Sequence, residues 1–161
     1  MRYLHNEEDL DARGYLFECV QLAQHATCQR SRCGSVIVQD GQIIGSGYNT
    51  PPYNLESQRR CSCAKENYHR KVTDKSCCMH AEQRAIIDAL QHNADKLVWS
   101  RLYFIRLDDD GEIAFSGRPR CTLCSKMALD VGIAEFVLRH KDGIAVYPTD
   151  EYNQLSFSYT E

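Results

Sequence analysis

The sequence lacks long hydrophobic runs and an excess of positive charge. No window approaches the roughly 18 consecutive apolar residues that a membrane-spanning helix needs. Near its start the chain carries acidic residues where a signal peptide would carry an apolar core. We therefore expect a soluble, cytoplasmic protein without a membrane partner.

Internal repeats and low-complexity tracts are also absent. The formal net charge of −3 disfavours long, sequence-independent contact with nucleic-acid phosphates, although one phosphate or one looped-out base can still be bound. The chain has 161 residues, of which 43% are hydrophobic, enough to bury one sizeable core. We predict a single domain over residues 1–161.

Cysteine, by contrast, is abundant, with nine residues in the chain. The odd number excludes a complete set of internal disulfides. Because no export signal accompanies the cysteines, we expect reduced thiols. Clustered cysteines in that setting indicate metal binding before disulfide formation.

Hydrophobic periodicity predicts alternating helices and strands. A helix is expected over residues 11–28, and a hairpin follows whose β-branched runs flank Asp40 and Gly41, a pair favoured in tight turns. Two more helices are expected, from residue 80 and from residue 121, and strands are expected at 102–107, 113–115, 135–138 and 144–147. This order favours an α/β domain with helices on both faces of a mixed sheet of about five strands.

A polar insertion at about residues 51–79 separates the hairpin from the second helix. It holds four cysteines but little periodicity, and it is too long for an ordinary connection. Such a segment is either functional or held together by something other than an apolar core.

Two short motifs at predicted helix starts carry the candidate chemistry, His80-Ala81-Glu82 and the run from Pro119 to Cys124. Cys121 and Cys124 are three residues apart, so their sulfurs share one face of a first helical turn. The exposed amides of that turn favour the thiolate, which is the form that binds zinc.

His80 would supply a third zinc ligand. Three protein ligands leave a position for water, which distinguishes a catalytic zinc from a structural one. Positions i and i+2 do not share a helix face, so Glu82 is expected beside that water as a general acid–base rather than on the metal.

Other interpretations of the cysteine pair are possible. A lone C-x-x-C is also typical of a redox pair or of half a structural zinc site. A zinc ribbon needs a second such pair, which the chain lacks, and a thioredoxin-like motif leaves His80 and Glu82 unexplained. The two motifs together favour a catalytic zinc.

H-A-E followed by P-x-C-x-x-C resembles the zinc-dependent cytidine/deoxycytidylate deaminase superfamily, with deoxycytidylate deaminases closest in layout. The segment CGSVIVQDGQIIGSGYN is similar to that superfamily's first hairpin, which ends in a substrate-contacting asparagine, here Asn49. The resemblance covers about residues 15–138. It departs from the family at Arg120, which stands between Pro119 and the first cysteine of the pair.

The resemblance implies a three-layer α/β/α cytidine-deaminase-like fold and a site on which each motif residue has a role. Zn²⁺ would be held by His80, Cys121 and Cys124. Asn49 and the backbone of Ala81 would contact the substrate. Water activated by the zinc would attack C4 of a cytosine nucleotide, as in dCMP to dUMP conversion, while Glu82 carries protons.

The residues leave other functions open. One is a polynucleotide deaminase acting on tRNA or single-stranded DNA, and another is a guanine or other nucleobase deaminase. A polynucleotide enzyme should present aromatic residues for stacking, whereas the tail aromatics Tyr147, Tyr152, Phe157 and Tyr159 are expected in the core and at interfaces. A non-enzymatic, zinc-stabilised binding module is a third possibility.

Family resemblance also bears on the insertion and on assembly. Deoxycytidylate deaminases have a long insertion here, and some place a second, structural zinc in it. Its candidate ligands in this chain are Cys61, Cys63, His69, Cys77 and Cys78. A 5′-phosphate would be bound by basic residues of the insertion or beside the cysteine motif: Arg59, Arg60, Lys65, Arg70, Lys71, Arg118 and Arg120. Relatives usually assemble, so a homo-oligomer is expected.

Overall fold

The computed structural model describes residues 1–71 and 76–160. Its strands are β1 (Arg2–Tyr3), β2 (Arg32–Gln39), β3 (Gln42–Tyr48), β4 (Arg101–Leu107), β5 (Ile113–Ala114), β6 (Glu135–His140) and β7 (Gly143–Pro148). Its helices are α1 (Asn6–Gln24), α2 (Ala81–His92), α3 (Thr122–Asp130) and α4 (Thr149–Phe157). Short 3₁₀ turns lie at Pro52–Asn54, Glu56–Gln58, Lys65–Asn67 and Ala94–Lys96.

All seven strands belong to one mixed sheet. The order is β1-β7-β6-β4-β2-β3, with β5 paired to β4. β4 and β6 run parallel, and the other neighbouring pairs run antiparallel. The prediction of a mixed α/β sheet is confirmed, but the predicted count of about five strands is too low, because two-residue β1 and β5 are too short to leave a periodic pattern.

Helices cover both faces of the sheet, as predicted. Val36 and Val38 of β2 face α1, while Ile37 between them faces the helices on the other side, because alternate residues of a strand point to opposite faces. The second face holds α2, α3 and α4 around Phe136. Leu90, which helical spacing also places inward, is 45% exposed.

Helix boundaries differ from the predicted ones at two places. α1 begins and ends about four residues earlier than predicted, and the weakly patterned tail forms α4. The α4 residues Thr149, Tyr152 and Ser156 are buried at spacings of three and four, but polar residues at two of these positions hide the pattern from a hydrophobicity reading.

The predicted hairpin turn is present between β2 and β3. Asp40 and Gly41 have φ values of 49° and 75°, the left-handed conformations that a two-residue turn of this kind requires. The hairpin pairs Gly34 with Tyr48 at its open end, and this places Asn49 beside the start of β2.

The two ends of the insertion lie next to each other in the fold. Thr50 and Met79 form an antiparallel bridge, with the Met79 N–H donating to the Thr50 carbonyl at 2.9 Å. This bridge lies at the two ends of the segment predicted as an insertion, 51–79, of which residues 72–75 lie outside the described part. The division of the chain into one domain carrying this insertion stays a prediction. Among the described helices, none has both the length and the apolar character to cross a membrane.

Candidate active site

His80 occupies the N-cap of α2 and is fixed there by local contacts. Its backbone N–H donates to the Gln83 side-chain oxygen at 3.0 Å, which satisfies a backbone donor at the start of the helix. The first turn of α2 lies directly against β3, where a Cβ added at Gly47 would be 2.4 Å from the Ala81 carbonyl oxygen. Helix and strand therefore pack backbone to backbone beside His80.

α3 brings the cysteine pair to the same place. Cys121 is its N-cap and Cys124 lies in its first turn, as the sequence predicts. The two sulfurs are 3.2 Å apart, and the Nδ1 atom of His80 lies 3.4 Å from Cys121 Sγ and 3.3 Å from Cys124 Sγ. The structure thus brings together the three predicted zinc ligands, although His80 is more than forty residues from either cysteine in the chain.

The chemistry of this donor set fits a zinc ion. The hydrogen bond between Cys121 and Cys124 and contacts with His80 lower the pKa of Cys121 to about 4 against the effect of burial. The interaction with Cys121, together with burial, raises the pKa of Cys124. A divalent cation between the two sulfurs would favour the thiolate form of both, since zinc binds thiolates.

Glu82 lies beside these ligands and is only 5% exposed. Burial, and next the negative charge of Cys121, raise the pKa of its carboxyl group to about 7. A carboxyl group of this kind exchanges a proton near neutral pH, which is what a general acid–base requires.

A pocket of about 390 Å³ lies beside these groups and is lined in part by His80, Glu82 and Cys121. Asn49 and Ala81 both line it, as the resemblance implies. The Asn49 amide also orders the pocket wall, because its oxygen accepts from the Cys33 N–H at 2.7 Å and its nitrogen donates to the Ser31 carbonyl at 2.7 Å. Each amide atom retains capacity for one more hydrogen bond.

The pocket lining is rich in cations. Its basic residues are Arg30, Lys65, Arg106, Arg118 and Arg120, and among the described lining residues Glu82 is the one acid. The pocket lining thus includes three of the candidate phosphate ligands predicted from the sequence, Lys65, Arg118 and Arg120. Arg59 is instead paired with Glu56 at 2.6 Å and donates to the Thr27 carbonyl.

A second cluster of sulfur atoms lies at the edge of the same pocket. We call it the four-cysteine cluster: Cys28, Cys61, Cys77 and Cys78. The Sγ atom of Cys61 is 3.9 Å from that of Cys28, 3.2 Å from that of Cys77 and 3.7 Å from that of Cys78. Cys77 and Cys78 are also 3.7 Å apart.

The cluster differs from the ligand set named from the sequence. Cys63 and His69 are exposed and lie outside it, and the Nδ1 atom of His69 accepts from the Lys71 N–H. Cys28 belongs to it although it precedes β2, far from the insertion in sequence. Spacing alone missed Cys28, because no motif near it in the sequence signals a metal ligand.

Three more pocket residues escaped sequence reasoning. Arg30 and Arg106 belong to no motif, and Tyr152 was expected only in the core. Tyr152 is 5% exposed and its ring stacks on Phe136 at a centroid distance of 4.1 Å, while its outer surface lines the pocket. The other tail aromatics differ in their surroundings. Tyr147 is buried, Phe157 is 78% exposed, and Tyr159 lines the pocket.

Comparison with known proteins fits this site. Residues 11–140 match the sequence model of the cytidine and deoxycytidylate deaminase zinc-binding region. The chain belongs to this deaminase family. The matched region contains His80, Glu82 and both cysteines of the motif, whereas α4 with Tyr152 lies beyond it.

Two deoxycytidylate deaminases are among the similar sequences. That of Saccharomyces cerevisiae is 27% identical over 145 residues, which cover 86% of this chain and 42% of the yeast protein. That of Mycobacterium phage D29 is 28% identical over 121 residues, covering 71% of this chain and 83% of the phage protein. The chain spans less than half the length of the yeast relatives that it matches.

Solved deaminase structures share the fold. The dCMP deaminase of cyanophage S-TIM5, in complex with dCMP and dUMP, superposes with a TM-score of 0.57 at 20% identity, covering 82% of both chains. At this identity the likeness concerns the fold, and it confirms the predicted cytidine-deaminase-like architecture.

Proposed function

We propose that the protein deaminates a cytosine nucleotide of the deoxycytidylate type by hydrolysis. The observation that carries this proposal is the meeting of three metal-binding atoms with a buried carboxyl group at one end of a cation-lined pocket. The names of the similar yeast and phage proteins support the same substrate class, and so does the dCMP bound to the cyanophage relative.

His80, Cys121 and Cys124 would hold the metal. When bound, a zinc ion at this place lowers the pKa of a water molecule toward 7 and makes hydroxide available at neutral pH. The three ligands sit at the N-termini of α2 and α3, where the backbone amides stabilise the thiolates.

Glu82 would carry the protons of the reaction. It takes a proton from the attacking water and gives it to the ring nitrogen next to C4, and then passes a proton to the departing amine. The C4–O bond forms in the first step and the exocyclic C4–N bond breaks in the second, so that cytosine and water become uracil and ammonia. Burial suits Glu82 for this exchange because it holds the pKa near neutrality.

The pocket walls would bind the two other parts of the substrate. Phe104, Leu138 and Tyr152 offer apolar surface to the faces of a pyrimidine ring, while the Asn49 amide has hydrogen-bonding capacity to spare. The lining arginines offer a phosphate its usual forked partner. The chain as a whole has a formal net charge of −3, so its positive charge is concentrated locally in the pocket lining. Such a local concentration fits one phosphate group better than a polynucleotide backbone.

An ammonia-release screen tests the proposal. Purified protein is offered cytosine, cytidine, deoxycytidine, dCMP, dCTP, guanine and a tRNA anticodon stem-loop, and we expect the highest kcat/KM with dCMP. Replacing Glu82 by Gln should lower turnover by about 10²- to 10⁴-fold while zinc stays bound. Glu66→Gln, at an exposed acid of the insertion, is the matched control and should leave turnover unchanged.

A zinc-stabilised binding module is the alternative from another functional class. It predicts no ammonia from any substrate and a ligand affinity that Glu82→Gln leaves intact. Ammonia release from guanine or from the stem-loop with higher kcat/KM than from dCMP would instead move the proposal to another base or to a polynucleotide.

We further propose that the four-cysteine cluster binds a second, structural zinc. Four sulfurs around a tetrahedral zinc at about 2.3 Å lie roughly 3.8 Å apart. The Cys61 sulfur lies 3.2 to 3.9 Å from the other three, and Cys28, Cys61 and Cys78 lie within 4.8 Å of one another. Burial opposes ionisation of Cys61, but the Gln29 amide and neighbouring thiols lower its pKa to about 7, which favours a thiolate. An insertion with few apolar residues gains folding free energy from such a metal.

Metal analysis separates this second site from the first. We expect two zinc ions per chain, one of which is lost in Cys61→Ser. Cys63→Ser changes an exposed cysteine two residues away and should keep both. Two ions in the Cys61→Ser protein would contradict the second site. A homo-oligomeric assembly and a cytoplasmic location stay predictions.

A further inference from the structure

The segment that leads into β2 is attached to the insertion at Cys61 by three consecutive residues. Cys28 contributes its sulfur to the four-cysteine cluster. The backbone amide of the next residue, Gln29, lowers the pKa of the Cys61 thiol. The Nε atom of Arg30 donates to the Cys61 carbonyl oxygen at 2.6 Å. The cluster and the Arg30 side chain therefore share one anchor, Cys61.

Arg30 is held by the insertion at two points. Besides the bond from Nε, its Nη2 atom donates to the carbonyl oxygen of Cys63. A guanidinium group has five N–H donors in a rigid plane, so two bonds to carbonyls fix its orientation. The carbonyls are neutral and leave its charge uncompensated, unlike Arg59, whose charge is paired with Glu56.

Arg30 also borders the candidate active site. Arg30 lines the pocket together with Glu82 and His80. Within residues 1–71 and 76–160 no group accepts a hydrogen bond from its Nη1 atom, which retains two N–H donors for a ligand. Arg30 is thus oriented by the insertion, lines the pocket and retains donors for a ligand.

We propose that Arg30 is a positioning link through which the four-cysteine cluster sets the affinity of the pocket for a phosphate-bearing substrate. An intact cluster holds the carbonyls of Cys61 and Cys63 in place. These carbonyls aim the guanidinium, and the guanidinium binds the phosphate. This inference rests on the proposed function, because it assumes a nucleotide in the pocket, and it assigns the insertion a part in binding rather than in the chemical step.

A double-mutant cycle in catalytically inactive protein tests the link. The parent is the Glu82→Gln variant, and dCMP and deoxycytidine are titrated into it by calorimetry, so that binding is read without turnover. Arg30→Gln should weaken dCMP binding about tenfold, the effect of losing a charged hydrogen bond, and change deoxycytidine binding less than twofold. Arg30→Lys keeps the charge but cannot reach both carbonyls, so it should also weaken dCMP selectively.

The cluster supplies the other arm of the cycle. Cys77→Ser removes a sulfur that does not touch Arg30, and it should weaken dCMP binding to a similar extent. The combined Arg30→Gln and Cys77→Ser protein should bind dCMP within about twofold of either single variant, because both changes break one link. Arg118→Gln removes an exposed pocket arginine that has no bond to the insertion, and its effect should multiply with that of Cys77→Ser.

The results that overturn the link are distinct from those that overturn the proposed function. An unchanged ratio of dCMP to deoxycytidine affinity in Arg30→Gln, or effects of Arg30→Gln and Cys77→Ser that multiply, would overturn the link alone. If Cys77→Ser does not fold, the ratio of dCMP to deoxycytidine affinity in Arg30→Gln and Arg30→Lys still tests whether Arg30 binds the phosphate. Failure of the parent to bind dCMP and deoxycytidine would overturn both.

Discussion

The backbone of Gly47 touches the backbone of Ala81. A Cβ atom at Gly47 would lie 2.4 Å from the Ala81 carbonyl oxygen and 2.6 Å from the Ala85 nitrogen, so α2 packs on β3 with no side chain between them. Because His80 and Glu82 flank Ala81, this contact sets where the imidazole and the carboxyl group lie relative to the pocket.

Gly47→Ala should therefore damage both stability and the metal site. Neither neighbour is a flexible side chain, and we expect a cost of about 1 to 3 kcal/mol in the free energy of unfolding. Displacement of α2 moves His80 away from the cysteines, so zinc affinity should fall as well. Urea unfolding and competition with a zinc chelator measure the two effects.

Gly14→Ala is the control for this change. Gly14 lies within α1 with nothing near its Cβ position, so alanine should stabilise the protein by about 0.5 to 1 kcal/mol through helix propensity and leave zinc affinity unchanged. Equal zinc affinity in the Gly47→Ala protein and the native protein would show that the contact does not position His80.

Glu8 gives the protein a pH-dependent contribution to stability. Hydrogen bonds from Arg2 at 2.7 and 2.8 Å, and then one from Arg101, lower the pKa of Glu8 from about 4.5 to about 2. A pKa that is lower in the folded chain stabilises it above pH 4.5, and this stabilisation is lost as the pH falls from 4.5 toward 2.

Glu8→Gln should consequently destabilise the protein at pH 7 and much less near pH 2.5. The difference is expected to be roughly 1 kcal/mol or less, since a side chain that is 39% exposed is screened by solvent. Thermal unfolding at several pH values measures it, with Glu7→Gln in the same helical turn as control. A difference that does not vary with pH would count against the assignment to Glu8.

The local features of the site were predictable because they are local in sequence. The turn at Asp40 and Gly41, and the helix starts at His80 and Cys121, each follow from residues within one or two turns of chain. The meeting of His80, Cys121 and Cys124 followed from two motifs whose spacing matches known ligand chemistry.

Contacts between distant segments were not predictable in this way. Cys28 joins the insertion only because β2 and the insertion close on each other, and nothing in its own neighbourhood signals this. The same holds for Arg30. Tyr152 reaches the pocket because α4 packs against α3, where Ser125 donates to Asn153 at 2.8 Å, and α4 itself has too mixed a polar pattern to be recognised.

Salt dependence distinguishes a nucleotide substrate from a polynucleotide. One phosphate in a lined pocket releases few counterions, so KM for dCMP should rise only a few-fold between 50 and 200 mM salt, whereas a protein that contacts many phosphates loses roughly 10³-fold or more in affinity. Steady-state kinetics across this range measure the slope. A steep rise in KM for a stem-loop substrate that is used better than dCMP would favour the polynucleotide alternative.

The central claim is that His80, Cys121 and Cys124 together hold one zinc ion that the reaction requires. The most direct measurement is zinc content, by atomic emission, alongside ammonia release from dCMP in Cys121→Ser and Cys63→Ser proteins. We predict that Cys121→Ser loses one zinc per chain and its activity, while Cys63→Ser keeps both. Unchanged zinc content and turnover in Cys121→Ser would contradict the claim.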